Sequence, residues 1–399
     1  MTTPDATQAA VASGNTGGWQ TIGHGAARLY LQRSHEAGRI AHAYLITGPA
    51  QVGKRTLALD LARLVNCTPA PDMFGDDAPP PCGKCVPCDR IARNVHADVK
   101  IIDPHTPMRG ISSGTRESTP EQDAARTLIS IGHIREMQHE VSLNPFEGGR
   151  RVVIFDGADR MAPDGSGWNA LLKTLEEPPE HVVIVLLAPT VDSLPQTVIS
   201  RCQPIELHAV PVGEIEQGLI ERGGVDPEIA TQLSRLAAGR PGRAFAALND
   251  ETALDRYRQA VLRILVTSAG DVEERFRYAN EMAREFGRNR ELVERELELW
   301  TSIWRDIMLL KHGVEDSVAN VEWVAQLSGA AAATGPDDAR LAIEAIAKAA
   351  DGLRRNGIPR VVLEVMLLEL PGIPSEIVEK INLGDGDEDS GDGWDETPS

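Results

Sequence analysis

Four groups of residues in this 399-residue chain have types and spacings suited to chemistry. The first is Gly48-Pro49-Ala50-Gln51-Val52-Gly53-Lys54-Arg55, set between an apolar run and a periodic helix. Such a turn aims backbone N–H groups and a helix N-terminus at phosphate, and its Lys neutralises charge. Magnesium needs a hydroxyl at the next position. Arg55 stands there, with Thr56 one place late. The loop has the form of a nucleotide site, but the lost ligand argues against present ATP binding. The second group is the apolar run Arg151–Phe155 ending in Asp156. A strand that ends in Asp suits a magnesium-holding carboxylate. An ATPase follows it with Glu to polarise water, and Gly157 cannot do so. With two catalytic parts missing, the chain is not expected to hydrolyse ATP.

The third group is Cys82-x₂-Cys85-x₂-Cys88 with Cys67 fourteen residues upstream. Four thiolates make a closed tetrahedral zinc site, structural rather than catalytic. The place of Cys67 in it follows by elimination. An iron–sulfur cluster and metal-free reduced thiols are the other readings of the same residues. The fourth is Arg201 in Ser200-Arg201-Cys202. Taken alone, such an Arg reads as a surface ion pair; at a domain edge it can also spread transition-state charge on a neighbour's nucleotide. Cys202 reads as a small core residue. His96, His105, His133 and His139 have no second ligand at useful spacing and read as surface or packing residues. Trp300 and Trp304, at i, i+4, read as helix core.

The elements that position these groups are visible as periodicities. Ala43–Thr47, Val99–Ile102, Arg151–Phe155, Val182–Leu187 and Pro204–Leu207 are short apolar runs, the pattern of strands buried on both faces of a parallel sheet;. Helical periods at 23–34, 56–65 and 131–141 alternate with them;. This predicts an α/β layered domain over 20–208, with the thiol module at 67–88 inside it. Strand patterns then cease. A small helical unit over 209–250 and an all-helical domain over 251–372 follow, the latter with long periods at 291–311 and 338–354. Residues 1–19 read as a disordered lead, 68–81 as a proline-rich loop, 104–125 as a flexible insertion and 384–399 as a disordered acidic tail;.

Composition narrows the function classes. The net charge of −19 argues against wrapping nucleic acid with the whole surface;. Aromatics at 4% give little material for a single-strand stacking platform;. No run reaches roughly 18 uninterrupted apolar residues, and the start lacks a signal-peptide pattern, so a soluble cytoplasmic protein without membrane contact is expected. Five cysteines, three of them clustered, fit metal in a reducing compartment better than a disulfide framework;.

Over about residues 20–372 the chain resembles the clamp-loader subunits of bacterial DNA polymerase III, which are AAA+ proteins. The resemblance rests on His42-Ala43-Tyr44-Leu45, the cysteine triplet, His96-x-Asp98, Asn169–Pro179 (NALLKTLEEPP) and Ser200-Arg201-Cys202. Asn356-Gly357-Ile358-Pro359-Arg360 with Leu363-Glu364 adds to it. It implies a RecA-like AAA+ domain with a parallel sheet and zinc module, a helical lid and a helical collar. Two branches compete, the gamma/tau motor and the delta-prime stator. Lys54-Arg55 and Asp156-Gly157 depart from the motor pattern, as does Gly242, where a motor would carry an Arg. Delta-prime is therefore the nearer branch. That implies a ring with gamma/tau and delta subunits, Arg201 acting in trans as an arginine finger, a degenerate nucleotide site at Gly48, Gly53, Lys54, Arg55 and Asp156, and access to sliding clamp and primed DNA through the complex. The alternatives are a divergent gamma/tau-type ATPase using Thr56 on magnesium, and a zinc-bearing AAA+ scaffold outside replication. No carboxylate pair suggests polymerisation by this chain.

Overall fold

The computed structural model describes residues 18–68, 79–106, 128–147, 149–162, 165–250, 252–355 and 357–378. The lead up to residue 17, most of the 68–81 loop, most of the 104–125 insertion, Asn356 and the tail at 384–399 lie outside the described residues.

Strands β1 (Ala43–Thr47), β2 (Val99–Ile102), β3 (Arg151–Asp156), β4 (Val182–Ala188) and β5 (Gln203–Glu206) form one sheet in the order β2-β3-β4-β1-β5. Every pairing is parallel, with Leu45 beside Leu186 and Pro204, and Val153 beside Ile184. Alternate residues serve opposite cores. Ala43, Leu45, Val153, Phe155, Ile184 and Leu186 enter one. Tyr44, Ile46, Val152, Ile154, Val183 and Val185 enter the other. Burial on both faces is why the strands read as unbroken apolar runs.

Helices α1 (Gly25–Glu36), α2 (Lys54–Asn66) and α3 (Val86–Ala92) cover the second core through Leu31, Leu57, Leu61 and Ile91. Helices α4 (Ile131–Val141) and α5 (Ser166–Glu176) cover the first through Ile134, Met137, Leu171 and Leu175. A single turn, α6 (Gln196–Ile199), precedes β5. The start of the fold differs from expectation. Trp19, assigned to the lead by sequence, is buried in the second core. Behind it, Asp60 of α2 accepts from the N–H groups of Gln20 (2.9 Å) and Thr21 (2.7 Å) and from the Thr21 hydroxyl (2.6 Å).

Helices α7 (Val212–Gly223), α8 (Pro227–Leu236) and α9 (Pro241–Leu248) follow. Two units separate here: one runs to Ala230 and takes back Gly239–Phe245, the other holds Thr231–Ala238 and everything from Ala246. The 209–250 segment thus contributes to both. The second unit is α10 (Ala253–Ala269), α11 (Val272–Phe286), α12 (Arg290–Lys311), α13 (Val324–Ala333), α14 (Asp338–Arg354) and α15 (Pro359–Glu369). Trp300 and Trp304 of α12 are in its core, as their spacing implies. The Trp300 indole donates to Tyr278 (2.9 Å), whose hydroxyl donates to Glu296 (2.6 Å). Among the described residues no helix is long and apolar enough to cross a membrane.

Candidate functional site

The glycine loop leaves the C-terminal end of β1 and opens α2. Gly48 has φ +144°, and a Cβ there would stand 2.4 Å from the Leu207 carbonyl oxygen. Gly53 has φ +113°. Only glycine meets both demands without strain. Lys54 donates to the loop's own carbonyls, Gly48 (2.6 Å) and Pro49 (2.8 Å). Burial lowers its pKa, against the attraction of Asp156 and Asp159. Arg55 reaches across to the end of β3, its Nη1 3.2 Å from Asp156 Oδ2. A guanidinium therefore pairs with the carboxylate that would share a metal with a loop hydroxyl. Gly157 has φ +85°, a conformation that a Glu would adopt only with strain;.

Two contacts on this loop escaped sequence reasoning. The His24 imidazole Nε2 lies 3.1 Å from the Val52 carbonyl. Burial lowers the His24 pKa, opposed by that carbonyl and by Glu214. Gly242, at the start of α9, donates its N–H to the Gln51 carbonyl (2.9 Å), and a Cβ on Gly242 would stand 2.9 Å from the same oxygen. Both depend on long-range packing and leave no local pattern.

The ligand atoms of Cys67, Cys82, Cys85 and Cys88 all lie within 4.8 Å of one another. Cys67, from the end of α2, is thus brought to the triplet as elimination requires. Backbone N–H groups of Cys82 and Cys85 point at the Cys67 and Cys82 sulfurs, each 3.3 Å away. Burial pushes the Cys67 thiol up to about 12 and raises Cys88 too. Burial acts the same way on Cys85, but N–H donors from Cys88 and Thr68 bring it down to about 7. Four soft donors at this separation could hold one metal ion. Gly18 seals the module. Its N–H donates to Pro81 (2.6 Å), and a Cβ there would sit 2.2 Å from the Gly83 nitrogen.

Asp98 and His96 are buried and structural. Asp98 accepts from the N–H groups of Phe146 and Glu147, both 2.8 Å, and from Arg151 at 3.0 Å. His96 Nε2 lies 3.2 Å from Glu147. Cys202 is buried, as expected of a core residue.

Arg201 is apart from all these groups. It comes two residues before Gln203, which pairs with Tyr44 near the start of β1. The loop and Asp156 sit at the finishing ends of their strands, so a strand of about 16 Å separates the two edges. The guanidinium is partly exposed and held on three sides: Nη2 donates to Glu176 (2.6 Å), and Nη1 donates to the Thr197 carbonyl (2.8 Å) and the Ser200 hydroxyl (3.3 Å).

A glycine-lysine loop on β1, an acid ending β3 and β4 between the two strands define a parallel α/β domain of the P-loop type;. A family model described as "DNA polymerase III, delta subunit" matches residues 23–211. DNA polymerase III subunit delta' of Bacillus subtilis is 28% identical over 289 residues, covering 72% of this chain and 78% of that protein. DNA polymerase III subunit gamma of Buchnera aphidicola is 34% identical over 173 residues, 43% of this chain and 40% of its own length. Over residues 23–211, a little under half of its length, the chain is similar to the clamp-loader subunits of DNA polymerase III. A gamma-subunit-related protein of Thermotoga maritima superposes over 85% of this chain and 97% of its own, at 18% identity and a TM-score of 0.37, too loosely to argue from.

Proposed function

We propose that this chain is a delta-prime-like stator of a DNA polymerase III clamp loader, working in the cytoplasm. In this reading it joins gamma/tau and delta subunits in a ring, through a helical collar at 251–372, with 209–250 as a lid. It supports ATP-dependent loading of the sliding clamp onto primed DNA. Arg201 acts as a finger on the nucleotide of the adjacent motor, and zinc on Cys67, Cys82, Cys85 and Cys88 stiffens the platform. The carrying observation is that Arg55, just after the chain's own loop, is paired with Asp156, while Arg201 is presented at the opposite edge of the sheet. A finger so placed cannot serve its own loop; its nucleotide belongs to another subunit. Delta' among the relatives supports the same role.

The test is ATP hydrolysis by the purified chain, alone and mixed with a gamma/tau motor, delta, clamp and primed DNA. No turnover alone, loading restored in the mixture, and a loss of about 10³-fold with Arg201→Ala are expected. Turnover by the chain alone, abolished by Lys54→Ala, would instead identify a divergent gamma/tau-type ATPase.

A further inference from the structure

Resting on the finger reading of Arg201, we propose that Glu176 is a positioning residue for it, holding the guanidinium ready for a neighbour's phosphate. Glu176 is the last residue of α5, and its Oε1 accepts from Arg201 Nη2 at 2.6 Å. As a stability device this pair is poorly placed. Both side chains are partly exposed, at 35% and 51%, and an ion pair in such surroundings contributes little. A carboxylate at a helix C-terminus also opposes the macrodipole, and Glu177 follows directly. The pair does have one clear mechanical effect. Thr197 and Ser200 hold Nη1 from within Arg201's own turn. Glu176, from a different helix, holds Nη2. A long, flexible side chain is thereby fixed at both ends of its planar head.

Arg carries five N–H donors. Three are used in these bonds, and the Nε–H and one Nη2–H have no partner among the described residues. Those two remain for an incoming phosphate without breaking the clamp. Pre-orientation of this kind lowers the ordering cost that falls on the transition state. Glu176 stays one bond away from the phosphate and touches no reacting atom.

The test uses the full chain in the reconstituted loader and reads the motor's ATP turnover with clamp and primed DNA. Glu176→Ala is expected to lower kcat about ten-fold with KM for ATP unchanged, because nucleotide binding lies with the motor. Its melting temperature should not fall, since an unfavourable helix-end charge is removed. Glu176→Gln keeps the accepting oxygen and should recover most of the loss. If Arg201→Ala is without effect, the finger reading fails and this inference with it. If Arg201→Ala is crippling while Glu176→Ala runs at the normal or a raised rate, the finger stands and the positioning role is overturned. A loss in Glu176→Ala that Gln does not recover also overturns it.

Discussion

Single residues divide sharply by whether their task is local. Cys82, Cys85 and Cys88 are legible because a metal loop needs that spacing along the chain, and Arg55 and Gly157 because a motif fixes what they replace. Asp98 was visible only as half of His96-x-Asp98; that it pins the 146–147 backbone depends on a loop arriving from 48 residues away. Burial acts to raise the Asp98 pKa, but the two N–H donors and the Arg151 guanidinium prevail and hold it below the usual carboxylate range. A depressed folded value means that its stabilising contribution is complete above the unfolded pKa of about 3.9 and is lost as pH falls below it. Asp98→Asn should therefore cost about 2–3 kcal/mol at pH 7. Its stability curve should also be flatter than the parent's below pH ~4. Urea midpoints measured from pH 3 to 7 decide this; parallel curves would show that Asp98 does not carry the acid sensitivity.

Elements were read well where burial is two-sided. Strands β1 and β2 have the expected limits, and the other three shift by a residue or so, because continuous apolar runs have few other homes. Helix α3 was hidden inside the cysteine spacing, and α5 inside a string noticed for its identity rather than its period. Helix α3, at seven residues, lacks the length of apolar repeat that marks a helix, whereas α5 is as long as α4 and its repeat went unread;. Loop geometry is the least legible of all. The close approach of Gly48 to Leu207 lies between β1 and the residue after β5, and no sequence pattern announces it. Gly48→Ala would place a Cβ 2.4 Å from that carbonyl at φ +144°. The expected cost is roughly 2–4 kcal/mol, with faster amide exchange along β5. A drop in stability without any change at β5 would locate the strain elsewhere.

At the scale of the whole molecule, the sequence located the change from α/β to all-helical but not the way the chain returns, with Gly239–Phe245 rejoining the first unit. Nor did it show that the segment entering the fold at Gly18 is tied to the thiol module. If the four thiols hold zinc as proposed, that tie predicts a limited response to its removal. Chelation should raise exchange roughly ten-fold, about 1.4 kcal/mol of local opening, over 18–24 and 82–92 while leaving α12 unchanged. Protection that persists at 18–24 would show the N-terminal tie to be independent of metal. The contact of Gly242 with Gln51 has a different kind of consequence, one for evolutionary history. On the proposed reading, three motor residues would have to return together. Threonine at 55 gives up a half-exposed ion pair with Asp156, glutamate at 157 inherits a glycine's backbone, and arginine at 242 meets Gln51 O at 2.9 Å from its first carbon. The changes at 157 and 242 are penalised before any gain in hydrolysis is possible, and the change at 55 alone restores none;. If the chain is the proposed stator, selection for ATPase activity would meet backbone strain at 157 and a close contact at 242 on its first steps, which acts as a ratchet;.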